Sequence, residues 1–411
     1  MVSSYLYVKL GDIFNLNTET VCPRELPSQV FVHYSIPAFD ESHRPVLERG
    51  WNIKSNKYAL KGDSLLVSKL NPRINRVWKF LSMSNPNPSV CSTEFMVYQT
   101  IRPDVDLDFY YHFFTSHLFQ AALMTLQSGT TGSRMRVTPK ETLNIRIPYP
   151  PFREQRKIAA ILTSVDDAIA ATQRIIDQTE RVKRGLMQQL LTRGIGHTKF
   201  KQTEIGEIPA EWDVMSFRDA CEIVNGQVDP KEAPYCDMIH IAPNHIVGFI
   251  GHLEGYTTAK EDCVTSGKYL FTEEHVLFSK IRPELGKVAY PGFSGICSAD
   301  IYPIRARNGI MLPEFLKYVL MSDRFYRYSI SVSGRTGIPK VNRHDLDCYQ
   351  IAVPPIAEQE GMCKILRSVY SYWSANLAKK SSLMTLKSAL MQVLLTGKIR
   401  VKVDEEAGTV V

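Results

Sequence analysis

The segment Pro150 to Gly196, PPFREQRKIAAILTSVDDAIAATQRIIDQTERVKRGLMQQLLTRGIG, returns 204 residues later as Pro354 to Arg400, PPIAEQEGMCKILRSVYSYWSANLAKKSSLMTLKSALMQVLLTGKIR. Without a gap, 17 of 47 positions are identical, where average composition gives about 3 by chance. In the first copy Ile158, Ile161, Val165, Ala168, Thr172, Ile175, Thr179, Val182 and Leu186 alternate steps of three and four. That is a heptad seam, the pattern of helices paired along their length. The second copy gives Met362, Ile365, Val369, Tyr372, Asn376, Lys379, Leu383, Leu386 and Leu390. Each Pro-Pro pair sets a helix start, because proline is tolerated before and within a first turn but not inside a helix. Gly194 and Gly397 mark the ends. The spacing predicts two helices of ~38–40 residues, ~57–60 Å long. They are read as antiparallel, related by a pseudo-twofold axis.

The repeat continues upstream more faintly. Val67-Ser68-Lys69-Leu70-Asn71-Pro72 matches Phe278-Ser279-Lys280-Ile281-Arg282-Pro283, and Cys91-Ser92-Thr93-Glu94 matches Cys297-Ser298-Ala299-Asp300. The chain therefore reads as two copies of one α+β unit, each a globular part followed by a long helix. Boundaries fall at 1–149, 150–195, 196–353, 354–400 and a tail at 401–411. Strands are expected after Lys61 and Glu274, and long helices over Asp106–Leu126 and Leu312–Ile330. Aromatic residues there, Phe109 and Phe325 among them, are read as core. The polar stretch Phe200–Trp212, broken by Gly and Pro, reads as a crossover linker.

Composition narrows the function. The chain has 411 residues, too many for one ordinary core, with 44% hydrophobic and 22% charged residues. No run reaches the ~18 apolar residues of a membrane helix, and the start MVSSYLYVKLGDIF has no signal-peptide pattern, so a cytoplasmic location is expected. Eight cysteines, at 22, 91, 221, 236, 263, 297, 348 and 363, form no C-x-x-C pair. Reduced, mostly buried thiols are expected, with no metal. There is no phosphate loop, no G-x-G-x-x-G, no H-E-x-x-H, no G-x-S-x-G and no amine-holding Asn-Pro-Pro-aromatic tetrapeptide. His240 and His245 are read as structural. No catalytic residue is expected, and no cofactor of the chain's own.

Net charge is +7, which permits a nucleic-acid partner without demonstrating one. The basic residues cluster at corresponding loops. The first unit has Lys69, Arg73, Arg76, Arg134 and Arg136; the second has Lys280, Arg282, Arg335, Lys340, Asn342 and Arg343. Arg and Lys read guanine edges, Asn reads adenine, and all hold phosphates. These residues are the candidate DNA contacts.

P-P-x-x-E-Q followed by a long helix ending in L-L-T, twice, with K-Q-T-E-I-G-E-I-P-A-E-W between the copies, resembles the HsdS family, the specificity (S) subunits of type I restriction–modification systems. The resemblance implies two target recognition domains, each gripping one half of a bipartite, asymmetric DNA site, spaced by an antiparallel coiled coil. It implies two methyltransferase (M) subunits carrying S-adenosylmethionine, and restriction (R) subunits using ATP and Mg, joined through them. It implies no chemistry in this chain. Two departures stand out. The first unit lacks the E-I-G-x-I-P-x-x-W lead, and the second helix carries Tyr372, Trp373, Asn376, Lys379 and Lys380 where the family is more regularly apolar. The alternatives are a fused methyltransferase–recognition enzyme and a coiled-coil scaffold with no DNA role.

Overall fold

A computed structural model describes residues 5–84, 86–128, 135–334 and 337–403. The chain divides into two compact units, residues 1–173 with 378–411, and residues 174–377. The two long helices are present, Phe152–Arg193 and Ile356–Leu394. Each unit takes half of each helix, so the boundaries fall within the helices rather than at their ends.

In the first unit a four-stranded antiparallel sheet runs in the order Phe14–Asn17, Phe95–Thr100, Ser64–Ser68, Val77–Phe80. The second unit repeats this order with Cys221–Ile223, Ile301–Ala306, His275–Ser279 and Val288–Ala289. Each unit adds a second sheet holding one parallel pair, Val30–Tyr34 with Ser89–Ser92 and Ile239–Ile241 with Gly295–Cys297. The globular parts are thus far more alike in topology than in sequence. The strands expected after Lys61 and Glu274 are central, and each is buried along its length.

The expected helices against the sheets are each split in two. Leu107–Phe114 gives way to His117–Thr125, and Pro313–Leu320 to Asp323–Ser333. At both breaks a serine hydroxyl, Ser116 or Ser322, accepts the N–H of Phe119 or Phe325 and caps a fresh helix. Phe109, Tyr110, Phe113, Phe114 and Phe325 are buried, as core. The stretch read as a linker forms a hairpin, Phe200–Thr203 against Gly206–Pro209. Gly206, at φ +105°, makes the tight turn that a side chain would resist.

The helices pair antiparallel within each unit. In the first, Ile158, Ala159 and Leu162 share a core with Leu394 and Leu395, while Asp166 meets Lys387 and Gln173 meets Lys380. In the second, Leu190 packs with Met362, Cys363 and Leu366, and Lys183 lies over Trp373. Burying each large aliphatic side chain is worth roughly 1.5–3 kcal/mol.

The seam differs from the expected one by one residue in alternate steps. Ile158, Val165, Thr172, Thr179 and Leu186 lie on it, but the intervening positions turned inward are Leu162, Ile176 and Lys183, not Ile161, Ile175 and Val182, while Ala168 and Ile169 are both half-buried. Val182 is exposed while Lys183 is buried. The second helix has the same phase. Met362, Val369, Asn376, Leu383 and Leu390 stay, whereas Leu366, Trp373, Lys380 and Lys387 replace Ile365, Tyr372, Lys379 and Leu386. Tyr372 and Leu386 are exposed. Steps of three-then-four and four-then-three meet apolar residues equally well at 161/162, 168/169 and 175/176, so the pattern alone does not choose.

The repeated Glu-Gln pair explains itself here. Gln155, fully buried, accepts the Asp106 N–H at 2.8 Å and donates to the carbonyls of Asp104 and Pro150. Gln359 accepts the Leu312 N–H at 2.8 Å and donates to Ile310 and Pro354. The neighbouring glutamates clamp the chain that follows the opposite helix. Glu154 receives the Arg400 guanidinium at 2.7 Å, the Val401 N–H and the Tyr5 hydroxyl. Glu358 receives the Ile195 N–H, the Trp212 indole N–H and His197. Tyr5 therefore takes in the first unit the place of Trp212 in the second. Burial pushes the Glu154 carboxyl up, but the bonds from Arg400 and Val401 outweigh this and hold it below its usual value. Gly194 and Gly397 do end the helices with positive φ, and a Cβ at either would strike Trp212 or Tyr5.

Candidate nucleic-acid interface

One turn occurs in both units, bond for bond. After the central strand, the Lys69 N–H donates to the Glu94 carbonyl and the Lys280 N–H to that of Asp300, both at 2.9 Å. The hydroxyls of Ser68 and Ser279 donate to the carbonyls of Leu70 and Ile281, each at 3.0 Å. Leu70 bridges Arg136, and Ile281 bridges Lys340. The next N–H, of Asn71 or Arg282, donates to the carbonyl of Met135 or Pro339 at 2.9 Å. Asn71 and Arg282 then both enter the left-handed region, at φ +53° and +50°. Their carbonyls accept from Ile74 and Leu285 across Pro72 and Pro283. The S-K-L-N-P and S-K-I-R-P matches thus encode one backbone shape. For asparagine that shape is tolerable; for arginine it costs about 1–2 kcal/mol.

The turn brings several of the expected contacts together. In the first unit the exposed Arg136 lies across from Leu70, Lys69 is the residue before Leu70, and Arg73 is exposed two residues beyond Asn71. Arg136 is paired with Glu94 at 2.8 Å, yet keeps 57% of its side chain exposed. In the second unit Lys280, Arg282 and Lys340 meet at the corresponding place, Arg282 and Lys340 exposed. Lys280 is buried over the Tyr302 ring, and burial, then the nearby Lys340 and Arg343, lower its pKa.

Other expected contacts have structural duties. Arg76 is buried and forked onto Asp40, at 2.7 and 2.8 Å, and its hydrogen bonds hold the Asp40 carboxyl below its usual range. Its guanidinium is committed to this ion pair, so it is corrected from a DNA contact to a structural tie. Arg343 donates to the carbonyls of Ile223 and Val224 at 3.1 and 2.7 Å and stacks on Tyr302, bracing the edge strand. Asn342 opens the short helix Arg343–Asp347, its N–H donating to Asp345. Arg134 and Arg335 lie outside the described residues.

The sequence reading missed a second repeated cluster. Lys57 and Lys268 are buried, each donating to the carbonyl and hydroxyl of the serine two residues before, Ser55 or Ser266. Each lowers slightly the pKa of a buried thiol, Cys91 or Cys297, that burial itself raises. Beside them His33 pairs with Glu48 and His240 with Asp262. The S-x-K spacing was the available signal. His245 accepts the Ala242 N–H. No group of three or more metal-ligating side chains occurs among the described residues.

Two α+β units of one topology, each presenting the same turn, and pairs of antiparallel helix segments within each unit define an internally duplicated protein. The description "type I restriction modification DNA specificity domain" matches residues 3–181 and 209–382, and the chain belongs to that family. It is similar to the specificity subunit of the type I restriction enzyme EcoDI of Escherichia coli, 28% identical over 267 residues, 59% of each chain. It is also similar to that of MjaVIII of Methanocaldococcus jannaschii, 30% identical over 307 residues, 72% of this chain and 71% of the relative. A structure described as that of a type I restriction–modification S subunit from M. genitalium shares the fold, with TM-score 0.59 and 12% identity over 95% of this chain and 96% of the other. A chain from a structure of type I restriction–modification complex assembly and conformational transition does so with TM-score 0.60 and 19% identity, over 96% and 98%. The match to the E. coli relative spans 59% of that protein's length.

Proposed function

We propose that the chain reads double-stranded DNA at a bipartite, asymmetric site, one half-site per unit, as the specificity subunit of a type I restriction–modification complex. The repeated turn carries this reading. Two units place basic side chains on one backbone shape, yet differ at the residues displayed. A shared frame with different readers suits two unlike half-sites.

Catalysis then belongs to partners. Two methyltransferase subunits would supply S-adenosylmethionine and methylate adenine; restriction subunits would join through them with ATP and Mg. No helix among the described residues is long and apolar enough to cross a membrane. The assembly would act in the cytoplasm.

The test is methylation mapping in cells that carry the chain with its methyltransferase, and again with residues 1–149 exchanged for those of another family member. One half-site should change and the other persist. A palindromic motif, or both half-sites changing together, overturns the reading. A scaffold with no DNA role leaves methylation unaltered when the chain is removed.

A further inference from the structure

Arg282 stands out from the residues around it in three independent ways. It is a non-glycine residue at φ +50° and ψ +58°, followed by proline, which narrows its backbone freedom further. It is exposed, and among the described residues no hydrogen bond or ion pair engages its guanidinium. It also lies on a turn that carries two further basic residues, Lys280 before it and Lys340 on the bridged strand.

Each fact alone is unremarkable for a surface residue. Together they describe a side chain held at a conformational cost, with no hydrogen bond or ion pair among the described residues to offset it. Strained backbone of this kind persists where function requires the displayed group. The sister turn gives the control. With identical backbone hydrogen bonds it carries Asn71, a residue that tolerates the left-handed region. Asparagine or glycine would satisfy the backbone of the second turn at lower cost, so the backbone is not the reason for arginine.

An exposed guanidinium on a rigid turn, flanked by lysines, suits a planar acceptor pair better than a lone phosphate. The exposed Lys340 already supplies a point charge for a phosphate, whereas Lys280 is buried over Tyr302. Arginine adds the fork that matches the O6 and N7 edge of guanine. We propose that Arg282 is a specificity-determining residue of the second unit, reading one guanine of that unit's half-site in the major groove. This rests on the reading of the chain as a DNA specificity subunit.

The experiment compares wild type, Arg282→Gly, Arg282→Asn and Arg282→Lys, each expressed with the methyltransferase subunit in cells lacking other adenine methylation, with genome-wide mapping of methylated sites. Wild type must first give a defined bipartite motif; if it gives none, the specificity-subunit reading fails and not this inference alone. Glycine and asparagine at 282 should fold at least as stably as wild type, judged by urea midpoint. All three variants should relax discrimination at a single G·C pair in one half-site by about tenfold to a hundredfold, leaving the other half-site intact. Lysine keeps the charge but not the fork, so its failure to restore specificity separates base reading from charge. Folded variants that keep the full motif, or that lose methylation equally at every site, overturn the proposal. The latter is the signature of a phosphate contact.

Discussion

Lys183 and Lys387 hold the same seam position one repeat apart, yet only Lys387 meets a carboxylate. Its ammonium donates to Asp166 at 2.6 Å, whereas Lys183 lies over the Trp373 ring, 5.3 Å from its centroid. The repeat accounts for the difference, because the residue 204 positions after Asp166 is Tyr370. One half of the helix pair is closed by an ion pair and the other by aromatic rings.

Lys183→Met should therefore stabilise the protein by about 1 kcal/mol at neutral pH, since a buried cation with only a long bond to the Phe249 carbonyl and the more distant Glu180 charge gives way to a flexible apolar side chain. Burial lowers the Lys183 pKa. The folded amine thus releases its proton before the unfolded one, and between the two values the unfolded chain binds more protons. Wild-type stability should rise with pH through that window, up to about 10.4. The advantage of the variant, measured by urea midpoints from pH 7 to 10, should shrink accordingly.

Asp166→Ala should act in the opposite sense. Lys387 loses its anion in a setting only a quarter to a third exposed. The expected loss is about 1–2 kcal/mol. The double variant with Lys387→Met should recover most of it, and a double-mutant cycle measures the coupling.

Gln155→Ala and Gln359→Ala each strand two carbonyls and one N–H in a buried place. Each should cost about 3 kcal/mol, seen in chemical denaturation. Glutamate at either position should do little better, because its carboxylate accepts one bond and repels the two carbonyls.

Arg136→Ala and Lys340→Ala should each reduce the slope of log affinity against log salt by about one, if they neutralise phosphates. Arg76→Ala should instead lower stability, leaving Asp40 without its buried partner, with the slope unchanged. Titration of a fluorescent duplex at several salt concentrations distinguishes the two behaviours.

Thiol labelling of the native protein should reach Cys263 and Cys348, which are exposed. Cys91, Cys221 and Cys363 should resist, because burial removes access and pushes each thiol up to about 12. Mass spectrometry before and after denaturation provides the check.

The repeat, the helices and their terminal glycines were legible because each rests on local rules of period, proline and left-handed backbone. The seam phase was not. Where the apolar pairs left a tie, 182/183 offered valine or lysine, and the fold chose lysine because Trp373 receives its ammonium from a distant part of the chain. Arg76 misled for the same reason. Nothing near it in sequence announces Asp40, so a charge in a loop resembled a free one. The S-K-x-N/R-P turn was visible as a match, but its left-handed residue was hidden, because arginine is not a residue that sequence rules place there.

The division of the helices between the units has a consequence for synthesis. The second unit is one continuous stretch, residues 174–377, whereas the first is closed only by residues 378–411. Ile158 and Leu162 must wait for Leu394 and Leu395 to emerge before their core is complete. On the ribosome, then, the part of the chain begun first is finished last. Its apolar helix face stays open to water, and to chaperones, while some two hundred further residues are translated.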